Sequence, residues 1–232
     1  MPVTHVQVLI DPGHGGDETG AVASSGLRES DLNLDVAERL QRFLEYRGVS
    51  TLLTRTDDYR VAIAARGELA QRVEPDVFIS IHHNGGPTTP TREPGTLVFH
   101  QVASSDSRRL AGLVYEELVT TLSSLDVSYA AGSPPGAVAM LNDSGLDYYG
   151  VLRRTDGITS VLSESFFLTN PAEAAVLESG YVREQEAIAL GKAILRFMET
   201  EDAGTGFLDS RTFEGPGSGT GGIAGCSDPD LL

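Results

Sequence analysis

Short apolar runs alternate with longer stretches of helical periodicity along most of this chain. Residues 6–10, 49–53, 76–81, 96–100 and 159–163 are compact apolar segments with the length and β-branched content of strands. Between them, apolar positions recur every three or four residues. Leu32, Val36, Leu40, Phe43 and Leu44 form one such stripe, closed by Gly48, and residues 60–73 read as a second helix. Leu110, Val114, Leu118 and Leu122 mark a third over 107–122, and Ile188, Leu195 and Met198 a last one over 181–200. The run at 76–81 is almost unbroken, which suits a strand covered on both faces. This order predicts an α/β fold with a mostly parallel sheet flanked by helices on both faces.

Two stretches break the pattern. Residues 126–150, interrupted by Ser133-Pro134-Pro135-Gly136, show no clear period and read as a loop beside the functional face. From Ala203 onward eight of thirty residues are glycine, with Ser, Thr and Pro between them. The expected division is therefore one folded domain over 1–200 and a flexible, acidic Gly/Ser-rich tail or linker over 201–232.

At 232 residues and 40% hydrophobic content the chain can bury a substantial core. Its net charge is −16. Residues 201–232 hold six carboxylates against Arg211, so −5 of the total sits there and −11 remains in 1–200. A nucleic-acid partner held by a basic face is not expected, and an anionic polymer would need a specific groove. The single cysteine, Cys226, excludes an internal disulfide and a Cys-based zinc finger. No apolar run is long enough to span a bilayer, so membrane insertion is not expected. Met1 leads directly toward the first strand with no secretory leader, which suits a processed secreted protein, another export route or lysin-like release.

The chemistry concentrates at strand ends. Asp11-Pro12-Gly13-His14-Gly15-Gly16 follows the first strand, and Ser80-Ile81-His82-His83-Asn84-Gly85 closes the third. Glu164 follows the fifth, and Glu29 precedes the first helix, with Ser30 and Asp31 as candidate caps. In parallel sheets ligands bind beyond the carboxyl ends of strands, so all four residue types would meet at one edge. Two imidazoles and two carboxylates suffice for a catalytic zinc with an open position and a proton carrier. Each has a plainer reading. The Gly-His-Gly-Gly turn could be a tight connection or a phosphate cradle, although it lacks the Lys-Ser/Thr of a P-loop and the Gly-x-Gly-x-x-Gly spacing. Glu29 could be a dipole-favoured helix-start carboxylate. His82 and His83 project to opposite faces of a strand, so one of them, not both, would bind. His5 and His100 read as ordinary surface or strand residues. Phe166, Phe167 and Leu168 are expected to desolvate Glu164 and raise its pKa.

These segments resemble the zinc-dependent N-acetylmuramoyl-L-alanine amidases of peptidoglycan, from about Val6 to Met198. The resemblance is carried by Ile10–Gly16, Glu29 with Asn33, Thr54-Arg55-Thr56-Asp57 with Arg66, Ser80–Asn84 and Val161–Asn170. It implies an approximately six-stranded sheet and one Zn2+ held by His14, Glu29 and His82, with Glu164 as the catalytic glutamate. It also implies hydrolysis of the amide between N-acetylmuramic acid and L-alanine, at an extracytoplasmic site in the periplasm or cell wall. Where the family often has a small or polar residue, an aliphatic residue and a glycine, this chain has His83, Ser163 and Phe166. No long insert stands between His82 and Glu164, so an open site is expected. Two alternatives stay beside this reading: a peptidoglycan-binding module that keeps zinc without turnover, and a zinc amidohydrolase acting on soluble acyl-peptides. Oligomeric state is not legible.

Overall fold

The computed structural model describes residues 5–213. In chain order, β1 (Val8–Pro12), α1 (Glu29–Glu45), β2 (Thr51–Leu53), α2 (Ile63–Val73) and β3 (Val77–Asn84) form the first half. Next come β4 (Thr89–Thr91), β5 (Leu97–His100), α3 (Ser105–Leu122), β6 (Tyr129–Ala131), β7 (Gly136–Val138) and β8 (Met140–Leu141). The chain closes with α4 (Gly150–Arg154), β9 (Thr159–Phe167), α5 (Pro171–Leu177), α6 (Gly180–Glu199) and β10 (Arg211–Thr212).

Six strands form the central sheet in the order β2-β1-β3-β9-β5-β7. The first four are mutually parallel, and β5 and β7 run parallel to each other but antiparallel to β9. The expected α/β sheet is thus present, mostly parallel and covered on both sides. Alternation along the strands decides which layer each side chain joins. Val8 and Ile10 of β1 and Val77, Ile79 and Ile81 of β3 face the layer of α1, α3 and α6, while Leu9 and Phe78 face that of α2 and α4. Leu110, Val114, Leu118 and Leu122 of α3 are all fully buried, as their spacing predicts.

Three expectations need correction. The stretch 126–150 is not a loop: it supplies β6, β7 and β8, and β7 is the sixth strand of the main sheet. Strands of two or three residues are too short to show a period of two. In α6 the buried stripe is Val182, Glu186, Leu190 and Ile194, with Ile188, Leu195 and Met198 only half-buried at its flank. A charged residue in the middle of the stripe hid its true phase.

The third correction concerns the tail. Residues 203–213 are docked on the domain. Phe207 packs into the core beside α3, under the Arg108 guanidinium at 3.9 Å, and Leu208 joins the opposite cluster. The backbone pairs with β7 and β8 through Ala137 N–H to Gly206 O (2.8 Å), Leu208 N–H to Ala137 O (2.9 Å) and Arg211 N–H to Ala139 O (2.9 Å). Gly112 permits this approach, since a Cβ there would lie 2.4 Å from the Phe207 ring. The remainder of the expected tail, with Cys226, lies outside the described residues.

Candidate active site

His14 stands just beyond β1 on a turn that only a particular backbone allows. Its own φ is 60°, a left-handed conformation costly for a residue with a side chain. Two arginines hold that turn in place. Arg55 donates from Nε to Pro12 O (3.0 Å) and from Nη2 to Gly13 O (3.0 Å) and Ser30 O (2.8 Å). Arg66 donates from Nη1 to Pro12 O (2.8 Å), from Nη2 to His14 O (2.8 Å), and pairs with the buried Asp11 carboxylate. Asp11 also accepts from Thr54 Oγ1 (2.6 Å) and Ser80 Oγ (2.7 Å). Burial opposes its ionisation, yet Arg66 and these hydroxyls hold its carboxyl below the usual range. Sequence reading included Thr54, Arg55 and Arg66 in its motifs without a role; they brace the carbonyls of Pro12-Gly13-His14.

Glu29 is the first residue of α1, one turn before Asn33, and is 4% exposed. The expected caps Ser30 and Asp31 lie inside the helix; Arg28 occupies the N-cap position and makes no side-chain cap bond. Glu29 Oε2 accepts from the Ala21 N–H at 2.8 Å, and Oε1 accepts from the His83 N–H at 3.2 Å. The same Oε1 faces His14 Nε2 at 3.2 Å and His82 Nδ1 at 3.0 Å. One ligating atom from each of His14, Glu29 and His82 lies within 4.8 Å of the others. Glycines clear the space around this triad. A Cβ on Gly13 would sit 2.2 Å from His82 Cε1, and one on Gly20 would sit 2.4 Å from Glu29 Oε2.

His82 lies within β3, not at its end, because β3 extends through Asn84. Its register partner in β9 is Glu164, which places the two side by side on the α2–α4 face of the sheet. They share a cleft with His14, Tyr149, Val61, Val151 and Leu162. Glu164 Oε2 is shut off from solvent and has no hydrogen-bond partner. Burial and the nearby Glu29 charge push its pKa well above the ordinary carboxylate value, with His14 opposing. The direction matches expectation but the cause differs. Phe166 packs on the opposite side, stacked 6.5 Å from His83, and the cleft beside Glu164 is lined instead by Tyr149, Val151 and Leu162.

The imidazoles differ electrostatically. Burial alone would pull His14 down, but the Glu29 carboxylate, aided by Glu18, outweighs it and raises its pKa to about 10. His82 is lowered, by burial and by the positive charge of His14. Tyr149, which sequence reading left unassigned, stays a neutral phenol because burial and the Glu164 charge push its pKa well up. His83 turns away from the cleft, as strand alternation requires, and is 1% exposed. His5 pairs with Asp76 at the surface and His100 is buried beside Gln101, both apart from this cluster.

Comparison with known proteins agrees with this geometry. The chain is 31% identical over 195 residues to the uncharacterized protein YqiI of Bacillus subtilis (strain 168), covering 83% of this chain and 85% of that protein. It is 27% identical over 237 residues to N-acetylmuramoyl-L-alanine amidase AmiC of Neisseria meningitidis serogroup B, covering 83% of this chain and 53% of AmiC. The chain therefore spans about half the length of that relative. Among solved structures it superposes on the N-acetylmuramoyl-L-alanine amidase AmiC2 of Nostoc punctiforme with a TM-score of 0.69 at 28% identity, over 84% of this chain and 97% of that one. The corresponding amidase from Clostridium difficile 630 gives 0.71 at 26% identity, over 86% and 100%. Residues 8–196, which include all four candidate residues, match the family described as Amidase_3, N-acetylmuramoyl-L-alanine amidase, and the chain belongs to that family.

Proposed function

We propose that this chain hydrolyses the amide bond between N-acetylmuramic acid and L-alanine in peptidoglycan, with a zinc ion held by His14, Glu29 and His82 and Glu164 as proton carrier. The observation that carries the reading is the convergence of His14 Nε2 and His82 Nδ1 on one buried Glu29 oxygen, beside an unpartnered Glu164 oxygen. Neighbouring donors around a small tetrahedral cation with bonds near 2.0 Å stand about 3.3 Å apart. The 3.0 and 3.2 Å separations fit, and two nitrogens with one carboxylate oxygen are a donor set suited to zinc with a position left open.

Zinc held there would supply Lewis acidity toward the amide carbonyl and toward water. The chain's residues supply the rest. Glu164, poorly solvated and therefore a stronger base than a surface carboxylate, accepts the proton of the attacking water. It then delivers that proton to the departing L-alanine nitrogen, so the carboxylate is regenerated with each turnover. Glu29 is held by two backbone N–H groups, which keeps its charge oriented toward the imidazoles. Val151, Leu162 and Tyr149 exclude water from one wall of the cleft. Such an activity places the site of action at the cell wall, outside the cytoplasm. Among the described residues no helix is long and apolar enough to cross a membrane.

The test is hydrolysis of purified peptidoglycan by wild type and Glu164→Gln, with and without a chelator. Free stem peptides starting at L-alanine should appear only with the wild type, vanish on chelation and return when zinc is added. Turnover by Glu164→Gln at the wild-type rate would remove Glu164 from the role of proton carrier.

A further inference from the structure

Behind the metal-type triad, on the far face of the sheet, lies a second cluster that the hydrolysis does not use. His83 is buried between α1 and α6. Its Nδ1 meets Asn33 Oδ1 at 2.8 Å and its Nε2 meets Glu186 Oε2 at 3.2 Å. Glu186 is fully buried and its other oxygen, Oε1, has no partner. A buried carboxylate with a single partner is costly, so His83 is its principal compensation. The ring of Phe166 lies parallel to His83 at 6.5 Å. His83 and Phe166 are both departures from the family resemblance, and they pack against each other.

The direction of Asn33 gives the cluster a purpose. Its Oδ1 can only accept, so His83 Nδ1 must donate to it, and this fixes which way the amide points. Asn33 Nδ2 is thereby aimed at Gly13 O (3.2 Å) and toward Glu29 Oε1 (3.5 Å). A flipped amide would set an oxygen against both of those oxygens. The His83 backbone N–H also donates to Glu29 Oε1. We propose that Glu186 and His83 are positioning residues: a buried chain Glu186–His83–Asn33 that fixes the Glu29 carboxylate and the Gly13 carbonyl, and so presets the cation site from behind. It rests on the proposed zinc site.

The test compares wild type, Glu186→Gln and the double variant His83→Leu/Glu186→Leu. The double variant replaces the pair by apolar side chains and leaves no lone buried charge, so it should remain folded by circular dichroism. Zinc affinity is measured by competition with a chromophoric chelator, and the visible absorption of the Co2+-loaded proteins reports ligand geometry. Partners that orient metal ligands typically contribute roughly 10–100-fold in affinity. The folded double variant should bind zinc weaker by about that factor and show an altered Co2+ spectrum. Glu186→Gln, which can still accept from His83, should stay within about threefold of wild type. A folded double variant with wild-type affinity and spectrum would overturn the positioning role alone. A wild type that takes up no zinc would overturn the zinc site and this role together.

Discussion

Ending the chain at Glu201 should destabilise it markedly, whereas ending it after Phe213 should not. The shorter form loses Phe207 from the core beside α3 and Leu208 from the α2–α4 layer, both half-buried. A fully buried side chain of this size is worth about 1.5–3 kcal/mol, so two half-buried ones contribute about 2–3 kcal/mol together. The Arg108 contact over the Phe207 ring adds roughly 0.5–1 kcal/mol. Backbone bonds to Ala137, Ala139 and Leu141 are lost as well, but the segment released from β7 and β8 regains conformational entropy that offsets much of their value. The net cost is about 3 kcal/mol. For a domain of this size 1 kcal/mol shifts the melting temperature by roughly 2–4 °C, so the expected drop is about 6–12 °C. Thermal melts by circular dichroism of the forms ending at 201, 213 and 232 decide the matter. If all three melt within about 2 °C of one another, the docking of residues 203–213 contributes nothing and the reasoning fails.

Other outcomes follow from the site. Glu164→Gln should lower hydrolysis roughly 10²–10⁴-fold while leaving zinc content unchanged; a parallel loss of zinc would mean the residue ligates instead. Either His14→Ala or His82→Ala should release zinc on dialysis, and one equivalent retained in both would contradict the ligand set. Gly13→Ala places a Cβ 2.2 Å from the His82 ring and should weaken zinc binding without unfolding the protein, as read by metal content and circular dichroism. Because the His14 pKa is raised from 6.5 to about 10, its proton stabilises the zinc-free fold fully below about pH 6.5, and that contribution fades as pH climbs to about 10. Zinc must displace that proton, so calorimetry near pH 8 in buffers of different ionisation enthalpy should report about one proton released per ion bound; none released would refute the assignment of His14.

What the sequence made legible was local. The triad and Glu164 each sit in a short motif tied to a strand or helix terminus, and parallel topology then brings those termini to one edge. Glu186 was harder to see, because its partners lie on β3 and α1, far away in sequence; its trace was a charged residue at the centre of the α6 apolar stripe. The docked segment 203–213 was misread because its glycines resemble a linker. Gly204 and Gly206, at φ of 74° and 75°, instead let the backbone pass close to α3. β7 escaped notice because three residues ending in Val138 make a strand only through their neighbours. Asn170 and Pro171, by contrast, mark the start of α5 as an N-cap and first-turn proline should, with Asn170 Oδ1 accepting from the Ala172 N–H at 3.1 Å.

Mass spectrometry of peptidoglycan after incubation with the zinc-loaded chain tests the central claim most directly. The account predicts free stem peptides beginning at L-alanine and glycan strands with intact lactyl groups, both absent with chelator and with Glu164→Gln. Intact stems still joined to muramic acid, from a protein that demonstrably holds zinc, would contradict it.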